Sequence, residues 1–418
     1  FCTGVVTGND LTIEAETVVL ASGMWTRQLA KTIGVNVPLQ ACEHFYIVTE
    51  PLEEVLQGMP TLREPGNYTY FKEETGKIMA GFFEPRAKIW NLEGIPNDFS
   101  FGTLPEDWEH IGPIFEAACH RVPALADTGI QLFFNGPEAF TPDGTFYLGE
   151  SPEVERCFVA SGFNSVGIQS AGGVGWVLAD WIIDGQAPMD LTSVDISRAF
   201  NFQSDLSYLE DRISESLGLL YAMHWPFRQY ESARGIRTSA LHDRLDRAGA
   251  VFGETAGWER PNWFAPEGTD PLNKYSFHTR RTNWFEKVGQ EVRAVRENVG
   301  LLDLTPFTKH EISGPGAEEY LNKMIANRLP SKQGGTVLAH ALTETGGVES
   351  EFTITREADK FFAVSSGAAE RHDHDVLLRS MPRDGSVALK NITLDYGTLV
   401  VCGPRSRDLL SKITDADM

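Results

Sequence analysis

The sequence predicts a multidomain protein of mixed α/β and α+β class, on three observations. Two units of strand, glycine turn and helix fall within the first 198 residues, short alternating strands lie between them, and a separate succession of helix and strands begins near Asn283. Length and composition agree with this: 418 residues exceed the usual size of one hydrophobic core, and 42% hydrophobic with 22% charged residues is a globular balance.

Val5 and Val6, then Leu11 and Ile13, flank Gly8-Asn9-Asp10 and read as a hairpin; Val18-Val19-Leu20 reads as a buried strand. Ala21-Ser22-Gly23-Met24-Trp25 is the turn that follows, and residues 26–33 form an amphipathic helix ended by Gly34. Runs at 43–50, 68–72 and 77–83 read as strands of an antiparallel meander, and 107–121 as a helix closed by Pro123. Residues 157–160 form a short buried strand that leads into Ser161-Gly162-Phe163-Asn164-Ser165-Val166-Gly167, with a helix over 171–184 carrying small residues on one face. Residues 197–220 read as polar and helical, and 221–266 as a connecting region with aromatics, arginine and glycine but little periodicity. A helix at 288–299 and alternating segments at 309–312, 337–342, 351–355 and 360–364 then make an α+β domain of their own.

With 36 basic against 58 acidic residues the formal net charge is −22, which opposes binding to nucleic acid and to anionic lipid surfaces. The apolar stretches at 18–20 and 172–183 are too short or too interrupted to span a bilayer, so no membrane partner is expected. Cysteines at 2, 42, 119, 157 and 402 form no C-x-x-C pair, which argues for neither a disulfide framework nor a zinc site and fits a reducing compartment. The run His372-Asp373-His374-Asp375 reads as a solvated helix start, because four successive side chains do not converge on one ion from a single helix face. The chain opens at Phe1 in what reads as mid-sheet and stops inside a helical pattern after Gly403-Pro404, so it is expected to be a fragment.

Pro137-Glu138-Ala139-Phe140-Thr141-Pro142-Asp143-Gly144 together with Gly162-Phe163-Asn164-Ser165 resembles the closing signature of glycine-oxidase-type flavoproteins. Segments 18–25, 38–50, 63–85, 135–149, 162–173 and 190–198, and Arg281-Thr282-Asn283-Trp284-Phe285-Glu286, resemble in the same order the dimethylglycine and sarcosine dehydrogenase family. Residues 342–351 and 391–405 resemble the aminomethyltransferase domain of that family. The resemblance implies an incomplete glycine-oxidase-type FAD-binding fold over 1–198, with a Rossmann-like part and an antiparallel substrate sheet. It also implies a connecting domain over 199–257 and a truncated aminomethyltransferase-like, folate-binding domain over 258–418.

It further assigns Ala21, Ser22 and Gly23 to the adenosine half of FAD, with Trp25 beside them, and Gly162, Phe163, Asn164, Ser165, Gly167 and Ile168 to the flavin ring. His44 and Tyr70 are the expected amine-orienting pair, with strand alternation placing Tyr68 and Tyr70 on one face; taken alone, His44 reads as a core histidine, and its position in the resembling segment reverses that reading. Glu351 stands where aminomethyltransferases present an aspartate to tetrahydrofolate; taken alone, it is an acid on the exposed face of a strand. The implied activity is oxidative N-demethylation of dimethylglycine, a small N-methylated amino acid, with the one-carbon unit passed to tetrahydrofolate. Sarcosine dehydrogenation, or a non-catalytic regulatory role in the same architecture, is the alternative. The G-x-G-x-x-G fingerprint and the histidine that often attaches the flavin in this family would precede Phe1. Electron-transfer flavoprotein or oxygen would reoxidise the flavin, in the bacterial cytoplasm or the mitochondrial matrix.

Overall fold

Around Gly8-Asn9-Asp10 the chain reverses as its turn chemistry predicts, pairing β1 (Gly4–Val6) with β2 (Thr12–Glu14). The structure is a computed structural model that describes residues 1–55 and 57–416. It divides into a first unit of residues 1–224 with 231–233 and a second of 225–230 with 234–418.

In the first unit β3 (Val18–Leu20) leads through the Gly23 turn into α1 (Thr26–Thr32). There follow β4 (Gln40–Thr49), β5 (Leu62–Glu64), β6 (Thr69–Glu73), β7 (Ile78–Phe82), α2 (Trp108–Arg121), α3 (Ala124–Asp127) and β8 (Ile130–Phe140). β9 (Tyr147–Glu150), β10 (Cys157–Ser161), α4 (Gly167–Asp184) and α5 (Leu206–Leu219) complete it. A small mixed sheet has β10 at its centre, parallel to β3 and antiparallel to β9. β3 is its edge strand, and Val19 is 40% exposed, so the expected buried strand is buried on one face only.

The second sheet of this unit is antiparallel in the order β5-β6-β7-β4-β8. On β4, Phe45 and Ile47 turn to one side and pack with Ile111 and Ala118 of α2, while His44 and Tyr46 emerge half-buried on the other. α2 is capped by Asp107, whose carboxylate accepts from the His110 N–H at 3.0 Å. The helix expected at 171–184 begins at Gly167, because the glycine-rich start of α4 carries no apolar period from which to read it. The polar helix α5 is mostly buried: Leu209, Ile213 and Leu217 pack on Cys42, Phe83 and Phe140. Its Glu215 accepts the N–H groups of Glu231 (2.9 Å) and Ser232 (2.8 Å), and Arg212 donates to the Ser232 carbonyl (2.9 Å). Its charged side chains thus satisfy otherwise orphaned backbone.

The second unit opens with α6 (His242–Arg247) and a hairpin of β11 (Ala250–Thr255) and β12 (Trp258–Phe264), so the stretch expected to be irregular contains a regular element. Its two-residue turn, Ala256-Gly257, holds both residues at positive φ (52° and 79°), the geometry of a tight hairpin. β13 (Tyr275–Ser276), β14 (Arg281–Thr282), α7 (Phe285–Glu297), β15 (Gly300–Asp303), β16 (Thr308–Ser313), α8 (Ala317–Met324), β17 (Thr336–Leu342), β18 (Val348–Arg356) and β19 (Lys360–Ser365) follow. α9 (Glu370–Arg379), β20 (Ala388–Asn391), β21 (Leu399–Cys402) and α10 (Ser406–Leu410) end the succession. The main sheet is antiparallel in the order β17-β18-β19-β16-β20, with Tyr320 and Leu321 of α8 and Val376 and Leu377 of α9 packed on one face.

The His372–Asp375 run lies in α9 as expected, but it is not solvated. Asp373 is buried and accepts from the Ser350 hydroxyl at 2.8 Å, and His374 stacks on the buried ring of His310 with the ring nitrogens 3.1 Å apart. These residues sit on the helix face turned to the sheet. Among the described residues there is no cluster able to hold a metal ion, and no helix is long and apolar enough to cross a membrane.

Candidate active site

Gly81 and Gly136 have no side chains, and two aromatic rings lie across the space this leaves on the exposed face of the β5–β8 sheet. Tyr70 covers Gly81 and Phe134 covers Gly136. The strand register sets Arg63, Tyr70, Gly81, Tyr46 and Phe134 in one row across five strands, with His44 and Gly136 paired two residues along. Tyr46 and Phe134 stack at 4.6 Å and 15°. A ladder of rings runs beside the row: Tyr221 stacks on Phe83 at 4.3 Å, and His44 meets Phe83 edge-on at 4.8 Å. The Arg63 guanidinium lies 4.0 Å over Tyr221 and donates to the Leu220 carbonyl at 3.1 Å.

This face is the floor of a cavity of about 860 Å³, within the range of small-molecule sites. Gly23 to Trp25 and Gly162 to Val166 also line it. The sequence-predicted His44 and Tyr70 therefore share one cavity with Gly23, Trp25, Gly162, Phe163, Asn164 and Ser165. Ala21, Ser22 and Gly167 are not part of the lining, nor is Ile168, whose side chain is fully exposed. Ser22 acts behind the wall: its hydroxyl is 3.0 Å from Thr26 Oγ1, which is 2.6 Å from Ser161 Oγ, tying the turn after β3 to the end of β10.

The loop after β10 is held in an unusual backbone path, with Gly162, Asn164 and Ser165 all at positive φ (73°, 49° and 65°). A β-carbon at Gly162 would stand 2.5 Å from Thr141 Cγ2. Asn164 is buried; its amide oxygen accepts the Thr141 N–H at 2.9 Å and its amide nitrogen donates to the Gly162 carbonyl at 2.6 Å. That side chain is spent on the protein, so a ligand at this position meets backbone. Ser165 donates to Glu138, a carboxylate in the lining.

His44 Nδ1 is buried and has no hydrogen-bond partner among the described residues, which leaves the imidazole free to adopt either tautomer. The Tyr70 hydroxyl likewise bonds to no described residue, and burial, with smaller contributions from Tyr221, Glu138 and Tyr46, pushes its pKa up to about 12. Sequence reasoning did not single out Tyr46, Arg63, Phe134 or Tyr221. The first three follow once the strand register is known, and Tyr221 enters only through the chain's return after α5.

In the second unit, Glu351 lies on the exposed face of β18, as the bare strand reading had it, directly opposite His340 of β17; His340 Nε2 is 3.0 Å from Glu351 Oε2.

Residues 2–181 match the FAD dependent oxidoreductase family, 184–239 the FAD dependent oxidoreductase central domain and 241–418 the GCVT N-terminal domain. The 4-methylaminobutanoate oxidase (formaldehyde-forming) of Paenarthrobacter nicotinovorans is 39% identical over 99% of this chain and 50% of its own length. The pyruvate dehydrogenase phosphatase regulatory subunit of Mus musculus is 35% identical over 97% of this chain and 47% of its own. Mouse mitochondrial dimethylglycine dehydrogenase is 34% identical, with the same two coverages of 97% and 47%. This order of domains is that of an FAD dependent oxidoreductase fused to an aminomethyltransferase-like domain, and the homologues of the chain include dimethylglycine and sarcosine dehydrogenases and 4-methylaminobutanoate oxidase. It spans about half the length of the curated relatives it matches.

Proposed function

We propose that the parent protein oxidises the N-methyl group of a small N-methylated amino acid with FAD and passes the one-carbon unit to tetrahydrofolate in its aminomethyltransferase-like domain. The observation that carries this reading is the joint placement of His44 and Tyr70 with the Gly162–Ser165 loop in the lining of one aromatic-walled cavity. The cavity fits a flat flavin ring: Gly23 leaves open space where a β-carbon would stand, aromatic rings form the floor, and His44 Nδ1 has no hydrogen-bond partner among the described residues. FAD, when bound, supplies the hydride acceptor; Gly23, Trp25, Gly162, Phe163, Asn164 and Ser165 would hold it, with Ala21, Ser22, Gly167 and Ile168 shaping the turns behind.

The protein's own part is position and proton state. A protonated amine has no lone pair to assist departure of hydride, so His44 takes the ammonium proton and keeps the amine neutral. Tyr70 stays protonated through the neutral range because its pKa is about 12, and it orients the amine as a hydroxyl. Arg63 is the one guanidinium or ammonium group in the lining and would pair with the substrate carboxylate. The ring ladder of Tyr46, Phe83, Phe134 and Tyr221 keeps water from the reacting carbon. The iminium product hydrolyses in water to formaldehyde and the demethylated amine. Glu351, in the second unit, would accept a proton from tetrahydrofolate as the carbon is captured.

Dimethylglycine is the substrate proposed here, and sarcosine and 4-methylaminobutanoate are the competitors. The test is anaerobic addition of each amine to the full-length, flavin-loaded protein while the flavin absorbance is followed. Bleaching by one amine identifies the substrate, and reoxidation by oxygen or by electron-transfer flavoprotein identifies the acceptor. A bound flavin that no amine reduces overturns the enzymatic reading and places the regulatory one first.

A further inference from the structure

We propose that His340 is the positioning residue for Glu351, fixing its carboxylate through an Nε2–H donated to Oε2; this rests on the reading that Glu351 faces a reduced folate. Residues 340 and 351 are register partners on adjacent antiparallel strands, with Nε2 3.0 Å from Oε2. His340 is held in turn by its backbone N–H, which donates to Asn327 Oδ1 at 2.9 Å. The side chains are 34% and 57% exposed, so the pair is open to a ligand. An exposed pair of this kind adds little to stability, so its value to the fold does not account for it.

The geometry divides the two carboxylate oxygens. Oε2 meets the imidazole, whereas Oε1 has no hydrogen-bond partner among the described residues, on a side chain that is 57% exposed. A glutamate has one more rotatable bond than the aspartate of aminomethyltransferases, and an anchored Oε2 removes that freedom. When a secondary amine of the folate attacks the electrophilic carbon, the new C–N bond forms and the amine N–H proton must leave. The Nε2–H of His340 donates to Oε2 throughout, while Oε1 takes the amine proton and gives it up to water. No electrons are transferred between residues, and each group returns to its starting state.

The other ionisable groups on this face do not compete for the role. Lys309 is buried with its ammonium donating to the carbonyls of Thr305 (2.8 Å) and Phe307 (2.7 Å). Glu311 is paired with Lys360 at 2.7 Å, and Glu349 sits at the bulge that interrupts the β17–β18 register.

The test has two arms on the full-length protein. In the first, nitrogen NMR of ¹⁵N-histidine-labelled protein follows the His340 tautomer, assigned by its loss in His340→Gln. A fixed tautomer that becomes mixed in Glu351→Ala supports the pair, and an identical tautomer in both overturns it, whatever becomes of folate. In the second, formaldehyde release and folate capture are measured during amine oxidation. His340→Ala is expected to cut capture about tenfold, with flavin reduction unchanged; the His340→Ala/Glu351→Gln double variant should be no worse than Glu351→Gln. Multiplying losses overturn the proposal. Normal capture in Glu351→Gln would instead remove the folate reading of Glu351, while the NMR arm still judges the pair.

Discussion

The ring of Tyr70 occupies the place where Gly81 lacks a β-carbon: an added carbon would stand 2.0 Å from Tyr70 Cζ and 2.3 Å from its hydroxyl oxygen. The glycine on β7 is therefore what allows the tyrosine on β6 to lie flat on the cavity floor. Gly81→Ala forces the ring out, at a stability cost of about 1–3 kcal/mol for overpacking. Misplacing an orienting group by about 1 Å should slow amine-dependent flavin reduction by roughly 10- to 100-fold. In a Tyr70→Ala background the same substitution should cost almost no stability. Unfolding curves of the single and double variants check this, and equal losses in both backgrounds would show that the ring is not the obstacle.

Tyr70 also makes a prediction at high pH. Its pKa is raised from 10.0 to about 12 by burial, so the folded state holds the phenolic proton more tightly than the unfolded state. The resulting stability is fully present below pH 10 and is lost as pH rises through 12. Tyr70→Phe should lose less stability than the wild type across that window, measured by denaturant unfolding at fixed pH values. The Phe variant should also leave the activity profile between pH 7 and 9 unchanged in shape while lowering its height, because the phenol does not titrate there.

Asn164 is expected to matter for flavin binding without touching the flavin through its side chain. Its amide closes the loop on Thr141 and Gly162, and it sits at φ 49°, a conformation asparagine tolerates better than alanine. Asn164→Ala leaves the buried Thr141 N–H without its partner and strains the backbone, at a cost of about 2–4 kcal/mol. Flavin affinity should fall with it. Asn164→Asp, which keeps the acceptor but loses the donation to Gly162, should fall between the two in equilibrium dialysis against FAD; an alanine variant with native affinity would mean that the loop holds itself.

What was legible in the sequence was local. Strand-like runs at 43–50 and 77–83 located β4 and β7. Alternation placed Tyr68 beside Tyr70, but Tyr68 lies outside β6 at φ 57°, at the end of the short turn begun by Pro65-Gly66. It reaches the same apolar cluster by a turn rather than by strand alternation. Long-range satisfaction was invisible: nothing near Arg212 and Glu215 announces that their partners are backbone groups some 20 residues later, so α5 reads as polar when it is buried. The cavity itself shows the same division. Its glycine loops and its histidine could be read from segments, whereas the row of Arg63, Tyr70, Tyr46 and Phe134 exists only once the five strands are in register.

The buried pair His310–His374 should make the second unit sensitive to acid. His310 is fully buried, its Nδ1 has no partner among the described residues, and its Nε2 lies 3.1 Å from His374 Nδ1. Burial, with a smaller contribution from His374 and against a small opposing one from Asp373, lowers the His310 pKa to about 4; burial lowers that of His374 as well. Both depressed values mean that the unfolded chain binds protons near pH 6.5 that the folded state refuses. The stability they contribute is thus whole above pH 6.5 and disappears as pH falls toward 4. His374→Phe, which keeps an aromatic ring against His310 but cannot titrate, should reduce the proton uptake on unfolding in that window. Thermal unfolding followed by calorimetry at pH 7, 6, 5 and 4.5 reads this directly. A wild type and a variant whose midpoints fall in parallel would assign the acid sensitivity to carboxylates elsewhere in the chain.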